Sequence, residues 1–194
     1  MTAQTVRPRR LEASARRREI IDVATRLIAG RGYRGVSLDQ IAEACEITKQ
    51  GLLHHFPSKA ELLVAVLEHR DEVDAAEASA HEPFSRTKAG FREEIKALAR
   101  RNVANPGVVQ LYAVLSAEAL EPEHPANEYF LRRLAWSREL LREAAAPWHS
   151  DPDGFAIECL SFMEGLQVTW LRDPTIDFEV QALRFVDRVL AEHE

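Results

Sequence analysis

Apolar residues in this chain recur every three or four positions, and prolines stand where those runs stop. Between residues 14 and 28 they fall at Ile20, Ile21, Ala24, Leu27 and Ile28, one face of a helix. "GRGYRG" then interrupts with three glycines. In "SLDQ", Ser37 stands three positions before Gln40, a capping box that opens a short helix burying Leu38, Ile41 and Ala42. A turn at Cys45, Glu46 and Ile47 leads to a third helix with Thr48 as N-cap and with Ile47 and Leu52 at staple spacing. Pro57 stops it. "SKAE" from Ser58 is a second capping box, and its helix carries Leu62, Leu63, Val66 and Leu67 and runs on through "EHRDEVDAAEASA". Five more helical segments follow at about 85–103, 106–120, 125–146, 153–172 and 178–192, with Pro83, Pro106, Pro122, Pro125, Pro147, Pro152 and Pro174 near their joints. No run alternates with period two and no repeat is visible, so the expected fold is all-α with about nine helices.

Charge divides the chain. Residues 1–70 carry 12 Lys+Arg against 8 Asp+Glu, a balance of +4; the remainder carries 13 against 23, a balance of −10. A basic portion attracts phosphates and an acidic one does not. The opening "MTAQTVRPRRLEASARRRE" has no apolar run behind it, and no stretch reaches the roughly 18 apolar residues of a membrane span, so a cytoplasmic protein is expected. Cys45 and Cys159 match no metal or redox spacing and read as buried reduced thiols. No metal and no cofactor is expected.

Residues 37–56 make two short helices joined by a tight turn. In helix-turn-helix grammar the first helix braces while the second enters the major groove, with base-reading side chains at its N-terminal end. Thr48, Lys49 and Gln50 stand at that end. Lys49 can bond guanine O6/N7 or a phosphate, and Gln50 can pair with adenine N6/N7. Gly51 costs a helix about 1 kcal/mol against alanine, tolerable where a duplex must approach closely. His54, His55 and Lys59 lie where phosphates would pass, with Ser37 at the start of the bracing helix. Arg16 and Arg17, beside Arg18, oppose the dipole of their own helix and so ask for an anion. Arg7, Arg9 and Arg10 form a basic flexible arm, residues 1–14, able to reach a minor groove or backbone.

The stretch "SLDQIAEACEITKQGLLHHFPSKAELLVAVL" resembles the DNA-binding domain of the TetR family of bacterial transcriptional regulators. With the first helix the likeness covers roughly residues 15–67. It implies a homeodomain-like three-helix domain at 15–60 and a helical ligand-binding and dimerisation domain at 61–194. It also implies a homodimer on a palindromic double-stranded operator, released by a small-molecule effector, most often as a repressor. Two positions depart from the pattern. Glu46 stands where the family usually has glycine, and Leu53 replaces a common tyrosine.

The second domain is less legible. In the helix at 153–172, Phe155, Cys159, Phe162, Met163, Leu166 and Trp170 share one face and Ala156, Leu160, Gln167 and Leu171 another. A helix apolar on two sides must be covered on two sides. The expected dimer face comprises Cys159, Met163, Leu166, Leu183, Val186, Val189 and Leu190. The resemblance places Tyr112, Phe130, Trp136, Phe155, Phe162 and Trp170 in the segments that line ligand cavities. Neither effector nor operator follows from these residues.

Enzyme readings fare poorly. "SRTK", Ser85 to Lys88, formally matches a serine–lysine pattern but lacks its companion motifs. The stronger alternative is a helical ligand-binding or protein-interaction module without specific DNA binding.

Overall fold

The computed structural model describes residues 13–79 and 85–191, with side chains at 13–71 and 85–191. The arm residues Arg7, Arg9 and Arg10 and the joint at Pro83 lie outside them. Among the described residues there are nine helices and no strand: α1 (Ala13–Arg31), α2 (Leu38–Ala44), α3 (Lys49–His55), α4 (Lys59–Ser79), α5 (Lys88–Ala104), α6 (Pro106–Glu118), α7 (Asn127–Ala145), α8 (Pro152–Arg172) and α9 (Phe178–Ala191).

Local chemistry sets their ends. The first helix continues through Gly30 and stops where Gly32 takes φ 72°, a left-handed conformation that suits glycine. A Cβ at Gly32 would also lie 2.6 Å from Glu118 Oε1. The fifth helix begins three residues later than the sequence pattern suggests, because the Thr87 hydroxyl caps it by accepting from Gly90 N at 3.1 Å. The "SRTK" stretch is this cap: Ser85 Oγ lies 3.0 Å from Thr87 Oγ1, and Lys88 Nζ donates to the Leu190 carbonyl at 3.0 Å. Pro106 and Pro152 open α6 and α8 in the first turn, where no helical N–H is lost.

Two apolar clusters form the core. The first joins Ile20 and Ile28 of α1, Ile41 of α2, Leu52 of α3 and Leu62, Leu63 and Leu67 of α4 to Leu111 and Leu115 of α6. The second joins Phe91 of α5, Phe155 and Cys159 of α8 and Phe178, Phe185 and Val189 of α9. In the second layer α7 lies along α8, α5 along α9, and α8 touches both α6 and α9. The long α4 runs unbroken through residues 60 and 61.

Polar contacts seat the head on the body. Glu118 Oε2, at the end of α6, accepts from Tyr33 N at 2.8 Å, and Arg34 pairs with Glu121. His124, 5% exposed, sets its ring edge-on to Tyr33 with centroids 5.1 Å apart. Further out, Asp71 of α4 accepts from Tyr112 and Tyr129 hydroxyls at 3.1 and 2.8 Å and from Arg133 Nη1 at 2.7 Å. Burial pushes the Tyr112 phenol well above its ordinary range and Tyr129 up to about 12, so both remain donors.

The six aromatic candidates for a ligand pocket do not share surroundings. Tyr112 and Phe130 pack with the first cluster. Phe155 belongs to the second. Phe162 stacks on Phe185 with centroids 4.0 Å apart, Trp170 leans on Phe178 at 5.3 Å, and Trp136 is 61% exposed. Aromatic residues at helical spacing fill a core as readily as they line a cavity, and composition alone does not separate the two.

The dimer-face candidates need a correction. Cys159, Met163, Leu166, Val186 and Val189 are buried in the chain's own second cluster, and only Leu183 and Leu190 are half-exposed. The α8 and α9 faces turned outward carry instead Ile157, Ser161, Glu164, Gly165 and Val180. Periodicity showed two apolar sides without saying which one the chain keeps for itself. Both cysteines are buried and free, and burial pushes the Cys159 thiol up to about 12.

Candidate nucleic-acid interface

The interface is built by the turn between α2 and α3. Ser37 accepts from Gln40 N at 3.2 Å while Gln40 Oε1 accepts from Ser37 N at 2.9 Å, completing the capping box. At its other end α2 closes with a Schellman motif: Ile47 N donates to Ala42 O and Glu46 N to Glu43 O, both at 3.0 Å. That motif needs a left-handed residue between, and Glu46 supplies it at φ 55°. The missing glycine therefore leaves the loop unchanged in kind and strains one residue.

Thr48 then caps α3, its hydroxyl accepting from Gly51 N at 3.1 Å. Leu52 and Phe56 lie one turn apart and are 0% and 2% exposed, so they fix the inner face of α3. Thr48, Lys49, Gln50 and His54 are consequently exposed on the outer face. A Cβ at Gly51 would find Thr48 Oγ1 at 3.4 Å and Ile47 Cβ at 3.9 Å, ordinary contacts. The fold itself thus makes no demand for glycine there. Pro57 ends the helix as its residue type requires, with Phe56 extended at φ −139°. At Ser58 the capping box is only half formed. The hydroxyl accepts from Glu61 N at 3.0 Å but also donates to Glu61 Oε1 at 3.1 Å, so the carboxylate caps the side chain rather than the backbone.

Around this edge the nominated cations have intramolecular partners. Arg16 donates to Glu19 Oε2 at 2.6 Å and to the Cys45 carbonyl at 3.3 Å, tying α1 to the turn. The Arg17 guanidinium lies 4.7 Å over the Phe56 ring and is exposed on its other side. Lys59 Nζ lies 4.2 Å over the Tyr33 ring, where burial lowers its pKa and Glu118 partly offsets that. Lys49 Nζ donates to Asp39 Oδ2 at 2.9 Å. Burial, with His54, Arg16 and Arg17 nearby, pushes His55 below the ordinary imidazole range.

Two grooves border α3. One, of about 500 Å³, runs between Arg34, Ser37, Asp39, Lys49 and Lys59. The other, of about 520 Å³, lies between Arg17, His55, Glu61, Glu68 and Pro125. None of the six aromatic ligand candidates lines either groove. Sequence reasoning missed Arg34 and Asp39 at this edge. Arg34 is legible as a cation three positions before the Ser37 cap; Asp39 falls in the first turn of the bracing helix, where an acidic residue is ordinary.

The family model for bacterial regulatory proteins, tetR family, matches residues 20–66, the span of this head. The HTH-type transcriptional regulator RutR of Escherichia coli K12 is 38% identical over 64 residues, which is 33% of this chain and 30% of that protein. The HTH-type transcriptional repressor KstR2 of Rhodococcus jostii is 41% identical over 54 residues, 28% of this chain and 26% of that one. The HTH-type transcriptional activator FasR of Mycolicibacterium smegmatis is 37% identical over 62 residues, 32% of this chain and 28% of that one. Sequence likeness thus spans less than a third of these relatives' lengths. Fold likeness goes further. A TetR-family transcriptional regulator from Streptomyces coelicolor superposes with a TM-score of 0.76 over 93% of this chain and 96% of that one, at 22% identity. NemR of Escherichia coli in its reduced form does so with 0.71 over 90% and 96%, at 18% identity. Residues 20–66 thus carry the tetR family's N-terminal model, and over nine-tenths of its length the chain shares the helical fold of these solved structures.

Proposed function

We propose that this chain is a sequence-specific DNA-binding transcriptional regulator, not an enzyme, acting in the cytoplasm as a homodimer on a palindromic operator and released from it by a small-molecule effector. The observation that carries this is the outer edge of α3: Thr48, Lys49 and Gln50 are exposed, while the side chains beneath them are closed into the core. Base-edge donors and acceptors held on a rigid short helix have this placement in helix-turn-helix proteins. We take residues 15–60 as the reading head and 61–194 as the ligand-binding and dimerisation part. Repression is the mode named for KstR2, and FasR is named an activator; repression is the direction we propose.

Two recognition helices related by a two-fold axis fit half-sites one helical turn apart. The second copy would cover the outward strip of Ile157, Gly165 and Val180 with the half-exposed Leu183. An effector then acts by binding better to a dimer whose heads are wrongly spaced.

Selection of bound duplexes from a random pool tests the assignment. The protein should enrich one palindromic sequence and bind it with a steep salt dependence. On that duplex Lys49→Ala and Gln50→Ala should each relax discrimination by roughly 1–3 kcal/mol, whereas Arg17→Ala should weaken all duplexes alike. Weak binding blind to sequence would instead mark a ligand-binding or protein-interaction module, and unchanged discrimination in both α3 variants would remove the base-reading roles.

A further inference from the structure

The groove between α2 and α3 contains one anomaly for a surface that meets phosphates. Of the residues named along it, Arg34, Lys49 and Lys59 are cationic and Asp39 alone is a carboxylate. Asp39 is no part of the α2 capping box, which Ser37 and Gln40 complete by themselves. Its side chain is exposed and its oxygen lies 2.9 Å from the Lys49 ammonium. A pair so exposed to solvent and salt adds little to stability. Its position, ahead of the base-reading end of α3, is the part that needs an account.

We propose that Asp39 sets sequence discrimination in this reading head, by holding Lys49 for a neutral base edge and opposing its capture by a phosphate. The inference rests on the DNA-reading assignment above. A lysine ammonium is a point charge with three donors on a flexible stem. Left alone it would neutralise whichever phosphate came nearest, and it would do so on every sequence. With Asp39 in place the two outcomes differ. Guanine O6 and N7 are neutral acceptors, so Lys49 can give one N–H to guanine and keep another on Asp39. A phosphate is an anion, and taking Lys49 sets it against the Asp39 carboxylate at short range. The carboxylate is therefore nearly silent on a duplex that offers guanine to Lys49 and unfavourable on one that does not. Specificity here comes from weakening the wrong complex rather than strengthening the right one.

The test compares two probes, the duplex enriched from the random pool and a random-sequence duplex of equal length, against the full chain. Asp39→Asn keeps the side-chain shape and removes the charge. It should tighten binding to the random duplex about 5-fold and to the enriched duplex less than about 2-fold, and steepen the random-duplex salt slope by roughly 0.9, one more phosphate neutralised. Asp39→Glu should restore part of the discrimination. In a Lys49→Ala background Asp39→Asn should leave the ratio of the two affinities unchanged, since the ammonium it governs is gone. Equal tightening on both duplexes, or the same loss of ratio without Lys49, would overturn the proposal. Melting curves check that the variants fold. A wild-type chain that enriches no duplex would sink the DNA-reading assignment itself, before any Asp39 variant is made.

Discussion

At single residues, two substitutions separate what the fold wants from what DNA wants. Glu46 occupies a left-handed position at the C-terminal cap of α2, where a Cβ is unfavourable. Glu46→Gly should raise stability by about 0.5–1 kcal/mol after the entropic cost of glycine is deducted, read as a higher urea midpoint with an unchanged slope. Gly51 is the opposite case. Its φ is ordinary and a Cβ would meet only ordinary contacts. Gly51→Ala should therefore stabilise the chain by up to about 1 kcal/mol while weakening duplex binding, and melting beside a binding titration will show both. If alanine improves stability and leaves binding untouched, close approach of DNA at Gly51 is wrong. The sequence announced both residues, Glu46 by departing from the family pattern and Gly51 by breaking a helix former's run. It announced the backbone angle of neither. Asp39 was not announced at all, since an aspartate in the first turn of a helix is ordinary and its pairing across the turn with Lys49 is tertiary.

At the scale of helices, existence was legible and orientation was not. Caps and prolines are local chemistry: Ser37, Thr48, Pro57, Pro106 and Pro152 each act within a few residues, so helix ends could be read directly. Which side of α8 faces inward depends on α5, α7 and α9, and no local signal carries it. The resulting reassignment can be tested with two charges. Met163 is 9% exposed in the core, and Met163→Arg should unfold the chain or cost several kcal/mol, because an unpaired charge would be buried. Ile157 is 50% exposed, six positions earlier on α8. Ile157→Arg should leave the protomer's far-ultraviolet spectrum intact and move its sedimentation from dimer to monomer. A dimer that persists through Ile157→Arg would take this strip out of the interface.

At the scale of the molecule, the basic head and the acidic body meet through few polar contacts, and one of them is incomplete. Ala126 N donates to His124 Nδ1 at 3.2 Å, which leaves the proton on Nε2. That nitrogen is buried without a hydrogen-bond partner and lies 3.9 Å from Glu118 Oε2, the oxygen that holds Tyr33 N. Arg34, Glu121 and Lys59 also face it. Burial depresses the His124 pKa, with the Glu118 carboxylate working the other way and Arg34 reinforcing the depression. An unfolded imidazole titrates near about 6.5. As pH falls from there towards the lower folded value, the unfolded chain binds the proton first and stability is lost. The loss is about 1.4 kcal/mol for each tenfold reduction in proton affinity. His55 is depressed as well, so part of the slope belongs to α3. His124→Asn keeps a polar side chain that does not titrate. Urea midpoints for the two proteins should converge between pH 7.5 and 5.5, the wild type falling faster as acid is added. Protonation would also force a proton onto Nδ1, breaking its bond with Ala126 N and drawing the ring towards Glu118. The contact that seats Tyr33 would then be shared, so duplex affinity should fall in the same window and do so less in His124→Asn. Parallel pH profiles for the two proteins would show that His124 is an inert core residue and that the head–body junction does not titrate through it.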